Sequence, residues 1–284
     1  MNATVTTRWR ERRISAATVG VVVYEAGSTA PDARTLVLLH GLGHWTQAAW
    51  DALVPLLDPQ WRIVAFDLPG FGRSEKPAAR YDSRFFGQVV ASVLDQTAPG
   101  AFVLCGHSLG GYIAANYAAA HRERVEALIL IAPAGFLRAA RFVYALVGSQ
   151  LARWLFTPHP GRELVNRTLN RSVRDPASIA PAIREMALAL AAESNVRRAF
   201  AAVYTGAVAD FRDAPRLHAW FRTYTGPALI IWGRHDAFIP VKALAAACTV
   251  YPQAEALVCD RSGHLPMVEE APLVAAAIAR FLSR

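Results

Sequence analysis

Ser108 is the residue around which chemistry can be built. It stands in Cys105-Gly106-His107-Ser108-Leu109-Gly110-Gly111, between the apolar run Ala101 to Leu104 and the alanine-rich stretch Tyr112 to Ala120. The run reads as a buried strand and the stretch as a helix, so Ser108 falls on a glycine-flanked strand-to-helix turn, the pattern of a nucleophile elbow. A serine nucleophile needs a base, an acid that orients the base, and donors for the oxyanion. His264, in Ser262-Gly263-His264-Leu265-Pro266, is the base candidate. Asp236, in Trp232-Gly233-Arg234-His235-Asp236, is the acid candidate. Each follows an apolar strand-like run, and the chain order Ser, Asp, His is the order such an elbow requires. Taken singly, a loop aspartate beside glycine is a turn former and a loop histidine a solvated side chain; their joint order and placement favour the catalytic reading.

The oxyanion donors expected are the backbone N–H groups of Leu109, just after the nucleophile, and of Leu42, in the loop after the run Thr35 to Leu39. His40 reads as a structural hydrogen-bonder, because His264 already fills the role of base. Asp67 also ends a strand-like run, but Pro69, Gly70 and Gly72 beside it favour a turn-holding role. His44, Trp45 and Phe71 are candidates for lining a substrate pocket, although burial alone would explain both aromatics.

These residues need a sheet to bring them together. Arg8 to Ile14 and Thr18 to Tyr24 alternate as an opening hairpin. Thr35 to Leu39, Arg62 to Phe66, Ala101 to Leu104, Ala127 to Ile131, Ala228 to Trp232 and Glu255 to Cys259 are short, nearly continuous apolar runs, typical of strands buried on both faces. Helices are predicted between them over about 47–57, 83–96, 112–120, 241–247 and 272–282. Alternating strands and helices specify an α/β fold with a doubly wound, mostly parallel sheet. From Ala134 to about Thr225 the alternation stops and every stretch reads as helix or loop. The expected organisation is therefore a core of residues 1–133 and 226–284 with an inserted helical cap over 134–225, above the carboxyl edge where open α/β sheets bind ligands.

At 284 residues and 54% hydrophobic content the chain can bury a large core. No uncharged apolar run reaches the length of a membrane span, and Met1 to Arg13 lacks the apolar segment of a secretory signal. Cys105, Cys248 and Cys259 form no disulfide framework or metal spacing, so a reducing cytoplasm is the expected location, with no metal and no cofactor. The net charge is +8, and residues 134–225 hold 13 arginines against 6 acids. Around Phe136 to Phe156, Arg138, Arg141 and Arg153 share one helical face. That face is either simply solvated or docks something acidic: an acyl carrier protein, an anionic surface or a carboxylate-bearing substrate. Nothing resembles a nucleic-acid-binding motif.

The chain resembles the α/β-hydrolase-fold enzymes over nearly its whole length. The resemblance rests on His-Gly-Leu-Gly at 40–43, Asp-Leu-Pro-Gly-Phe-Gly-Arg-Ser at 67–74, Gly-His-Ser-Leu-Gly-Gly at 106–111, Trp-Gly-Arg-His-Asp at 232–236 and Ser-Gly-His-Leu-Pro at 262–266. Epoxide hydrolases and haloalkane dehalogenases of that family use an aspartate nucleophile, where this chain has Ser108. Its carbon–carbon bond hydrolases of aromatic-ring catabolism share the triad and a helical cap. They typically carry asparagine before the nucleophile and tryptophan after the histidine, where this chain has His107 and Leu265. Their carboxylate-binding cap arginine is not singled out among the 13. The motifs are most similar to those of capped carboxylesterases, including enzymes that cleave a methyl ester from a carrier-protein-bound acyl chain. The expected function is carboxylic ester hydrolysis through an acyl-enzyme, with a small-molecule acyl ester as substrate. Carbon–carbon hydrolysis of ring-fission products is the alternative, and a non-catalytic ligand-binding protein on the same fold is the alternative from another class.

Overall fold

The computed structural model describes residues 7–137, 161–211 and 213–284; the basic stretch with Arg138, Arg141 and Arg153 lies outside them. The described strands form one eight-stranded sheet in the order β1-β2-β4-β3-β5-β6-β7-β8. These are β1 (Arg10–Ala16), β2 (Val19–Gly27), β3 (Thr35–Leu39), β4 (Arg62–Phe66), β5 (Phe102–His107), β6 (Val125–Ile131), β7 (Ala228–Gly233) and β8 (Glu255–Cys259). β1 and β2 form an antiparallel hairpin, and β2 lies antiparallel to β4. From β4 to β8 every pairing is parallel, as the short apolar runs imply.

The strands divide their side chains between two cores. Val37 and Leu39 point to one face with Leu104, Leu130 and Trp232, while Leu36 and Leu38 point to the other with Val103, Ile129 and Ile231. This period of two is what a pleated strand dictates when both faces are buried. Helices α2 (Ser83–Thr97) and α3 (Leu109–Ala120) cover the first face, through Phe86, Val90 and Ile113 among others. On the second face stand Trp50 of α1 (Thr46–Trp50) and Val274, Ile278 and Phe281 of the last helix (Ala271–Leu282). Asp82 caps α2, its side chain accepting from Phe85 N–H at 3.0 Å.

One predicted helix is shorter than expected. The stretch 47–57 is α1 to Trp50, a turn, then a 3-10 segment at Val54–Leu56. Pro55 has no N–H to give to the carbonyl of Asp51, so the helix cannot run through.

Between β6 and β7 the described residues form four α-helices, a short 3-10 segment at Pro176–Ser178 and no strand. The α-helices are α4 (Arg162–Ser172), α5 (Pro181–Ala192), α6 (Ser194–Phe211) and α7 (Ala214–Phe221). α6 crosses the loops that follow β3 and β4: a methyl group added at Gly206 would stand 2.5 Å from the Tyr81 carbonyl oxygen, and one at Gly70 would stand 3.0 Å from Ala199 Cβ. Beyond β7 come α8 (Leu244–Val250), the four-residue helix α9 (Pro266–Glu269) and α10 (Ala271–Leu282). No described helix is long and apolar enough to cross a membrane. Cys105 and Cys259 are buried and Cys248 half-buried, all as free thiols.

Candidate active site

β5 ends at His107 and α3 begins at Leu109, leaving Ser108 alone at the junction with φ +53° and ψ −114°. This backbone conformation is strained for any residue with a side chain. The neighbourhood holds it in place. Ser108 N–H donates to Ile131 O at 2.9 Å, and Ser108 O accepts from Tyr112 N–H at 3.1 Å and Ala134 N–H at 3.0 Å. The flanking glycines are required by close approach: a Cβ at Gly106 would lie 2.3 Å from Gly110 O, and one at Gly110 would lie 2.2 Å from Leu39 O. Ser108 itself remains partly accessible.

Asp236 follows β7 by three residues and His264 follows β8 by five. The Asp236 carboxylate is buried, and its Oδ1 accepts from the N–H groups of Phe238 and Ile239, each at 2.8 Å. Its Oδ2 lies 2.6 Å from His264 Nδ1. A carboxylate can only accept, so Nδ1 carries the proton and Nε2 is the acceptor of a neutral ring. The loop is stiffened from behind, because Trp232 Nε1–H donates to Ile239 O at 2.8 Å.

His107 connects the two halves. Its Nε2–H donates to His264 O at 2.9 Å, and the two ring centroids are 4.7 Å apart, so the residue before Ser108 holds the His264 loop. Burial, and then the nearby His264 and His44, keep His107 well below the usual histidine range. His44 is edge-on to His107 at 5.8 Å and is pushed down to about 3 by burial, followed by His40 and His264. Both rings are neutral at pH 7.

His40 and Asp67 take up structural positions. His40 Nδ1–H donates to Gly41 O and its Nε2 accepts from Leu68 N–H, both at 2.8 Å. Burial lowers its pKa against the pull of Asp67. Asp67 accepts from Thr46 N–H at 2.8 Å, Arg73 N–H at 2.8 Å and the Tyr24 hydroxyl at 3.0 Å, pinning the turn after β4.

Leu109 is the first residue of α3, so its N–H has no acceptor within the helix. The loop 40–43 runs beside the elbow: a methyl group at Gly41 would be 3.1 Å from Ser108 Cβ. Leu42 follows in that loop and is half-buried. Of the proposed pocket residues, His44 is half-buried next to His107, whereas Trp45 is 7% exposed and Phe71 only 1%. The Phe71 ring is held between His40 and Phe200, at 6.2 and 6.3 Å.

Sequence reasoning passes over three residues at this edge. Phe238 stands edge-on to the His264 ring at 5.4 Å, and Arg171 of α4 lies 6.0 Å from the Phe238 ring centre. Its one sequence signal is its place two residues after Asp236. Phe200 of α6 reaches over the 40–43 loop, with Cε2 3.0 Å from where a Cβ at Gly43 would stand. Glu269 bonds to the His264 loop from α9, its Oε2 accepting from Gly263 N–H at 2.6 Å.

Comparison with known proteins is consistent in fold and divided in chemistry. The family model for the alpha/beta hydrolase fold matches residues 34–271. The dihydrolipoyllysine-residue acetyltransferase component of an acetoin cleaving system from Pseudomonas putida is 32% identical over 88% of this chain, which spans 63% of that protein's length. A 2-hydroxymuconate semialdehyde hydrolase from Pseudomonas sp. (strain CF600) is 27% identical, covering 96% of this chain and 93% of its own. A pimeloyl-[acyl-carrier protein] methyl ester esterase from Aeromonas hydrophila subsp. hydrophila is 28% identical, covering 82% of this chain and 89% of its own.

Proposed function

Because the chain belongs to the alpha/beta hydrolase fold family, we propose that it is a serine hydrolase that cleaves carboxylic esters through an acyl-enzyme. The observation that carries this reading is the strained Ser108 elbow at the same sheet edge as a buried Asp236–His264 pair bonded at 2.6 Å. Ser108 Oγ attacks the acyl carbon while His264 Nε2 takes its proton. The N–H groups of Leu42 and Leu109 bind the tetrahedral oxyanion. His264 then protonates the departing alcohol oxygen as the ester C–O bond breaks. Water, deprotonated by the same nitrogen, releases the acid and returns Ser108. Asp236 fixes the tautomer and stabilises the imidazolium that forms in each half-reaction.

Residues 134–225 act in this reading as a helical cap over the site, with α6 bringing Phe200 to its rim. Several of the described cap arginines are satisfied internally. Arg162 pairs with Glu185 and Arg167 with Glu163, while Arg184 donates to Asn170 Oδ1 and Arg197 to Ala191 O. That supports a structural and solvated role for the cap's positive charge.

Ester cleavage is favoured by the similarity to the methyl ester esterase and by His107 and Leu265 at the two positions flanking the reactive residues. Carbon–carbon hydrolysis is the second reading, favoured by the similarity to 2-hydroxymuconate semialdehyde hydrolase. A panel of neutral esters graded in acyl length, assayed beside a ring-fission product, separates them. Higher kcat/KM for at least one ester is expected. Turnover of the ring-fission product exceeding every ester would reverse the order, and no turnover of either would sink both.

The oxyanion assignment has its own test. Leu42→Ala keeps the amide and should change kcat only slightly. Leu42→Pro removes the donor, with an expected loss of about 3 kcal/mol, or roughly a hundredfold in kcat. A folded proline variant with full activity would reject Leu42 as a donor.

A further inference from the structure

Two carboxylates directly follow the His264 loop, and neither takes part in the steps above. Glu270 serves the loop alone, its Oε2 accepting from Ser262 Oγ at 2.6 Å and Arg261 N–H at 2.9 Å. Glu269 reaches across to another part of the chain. One oxygen accepts from Gly263 N–H at 2.6 Å, immediately before His264. The other accepts from Arg174 N–H at 2.6 Å and Asp175 N–H at 2.9 Å, on the turn that follows α4. At the same place His264 N–H donates to Ser172 O at 2.7 Å. The two backbones are in contact there: a methyl group at Gly263 would stand 2.8 Å from the Val173 carbonyl carbon and 2.9 Å from Arg174 N.

We propose that Glu269 is a positioning residue: by sharing its carboxylate among the amides of Gly263, Arg174 and Asp175, it makes the 172–175 turn and the His264 loop one unit and so sets where the His264 ring stands. This rests on the reading of His264 as the base. Only an ionised carboxylate fits the site, because both oxygens must accept. Glutamine can accept on one side only, and its amide group then opposes an N–H on the other. Two N–H groups facing each other cannot bond, so the link between the 172–175 turn and Gly263 is lost on that side. The His264 loop would then move against Asp236 and Ser108 while the sheet beneath it stays intact.

The test is Glu269→Gln, with Glu163→Gln as control; Glu163 is 85% exposed on α4 and pairs only with its neighbour Arg167 among the described residues. Two readouts are taken, kinetics on a small neutral aryl acetate and the far-downfield proton resonance of the Asp236–His264 hydrogen bond. For Glu269→Gln, kcat should fall by about ten- to a hundredfold, since displaced catalytic groups lose rate steeply. KM should stay within about twofold, because so small an ester needs little of the cap. The resonance should shift or broaden, and the control should leave both readouts unchanged. If the glutamine variant does not fold, Glu269→Asp is read instead, which keeps the charge but shortens the arm; the same direction of change is expected. An unshifted resonance in a folded variant overturns the proposal whatever the rates. If the unaltered protein does not turn over the acetate, the ester reading fails alone, because the resonance still reports the effect of Glu269 on His264.

Discussion

Replacing Ser108 by alanine is expected to lower kcat for an activated aryl ester by about a million-fold, the scale on which a nucleophile's removal acts when its partners work only with it. The protein should remain folded, because the elbow is held by backbone hydrogen bonds from Ile131, Tyr112 and Ala134 and not by the hydroxyl. Alanine inherits the strained backbone at φ +53°, whereas glycine is free of it. Ser108→Gly should therefore be equally inactive but more stable than Ser108→Ala, by about 1 kcal/mol or more. Urea unfolding of the two variants measures the difference. Equal midpoints would show that the elbow stores no strain, and retained activity in either would reject Ser108 as the nucleophile.

Asp236→Asn is the second large effect expected. The asparagine carbonyl can still accept from Phe238 and Ile239 N–H, so the loop should keep its shape. Its amide group then faces His264 Nδ1, and a donor there forces the ring to carry its proton on Nε2. That tautomer cannot take the proton of Ser108. The expected loss is about 10⁴-fold in kcat with little change in stability. A loss smaller than tenfold would remove Asp236 from the role of acid. Asp67 could not easily replace it, since Thr46, Arg73 and Tyr24 already occupy its oxygens.

Much of the scaffold is legible in the sequence because parallel strands buried on both faces leave short apolar runs with sharp ends. β3, β4 and β8 begin and end where those runs do. β5 runs on to His107, since glycine and histidine hide the last part of a strand whose hydrogen bonding continues. Pro55 cuts the first helix short, and Pro266, which reads as a loop residue, instead starts the four-residue helix that carries Glu269. Ser108, Asp236 and His264 can be picked out because each follows a strand and each lies in a local motif. Glu269 cannot: it bonds to amides 94 and 95 residues away, and no local pattern encodes such a contact. Phe200 and Phe238 escape for the same reason, as their places depend on how α6 and the Asp236 loop lie over the sheet edge. Trp45 and Phe71 show the converse, aromatic residues in the right loops whose rings are almost wholly enclosed.

The measurement that bears most directly on the serine hydrolase reading is covalent labelling with a fluorophosphonate, followed by peptide mass mapping. Such a reagent reacts with a serine only when a neighbouring base and an oxyanion site are assembled around it. The expected result is one adduct per chain, located on Ser108, lost in Ser108→Ala and strongly slowed in Asp236→Asn. No adduct at all, or an adduct on any other residue with hydrolysis intact, would contradict it.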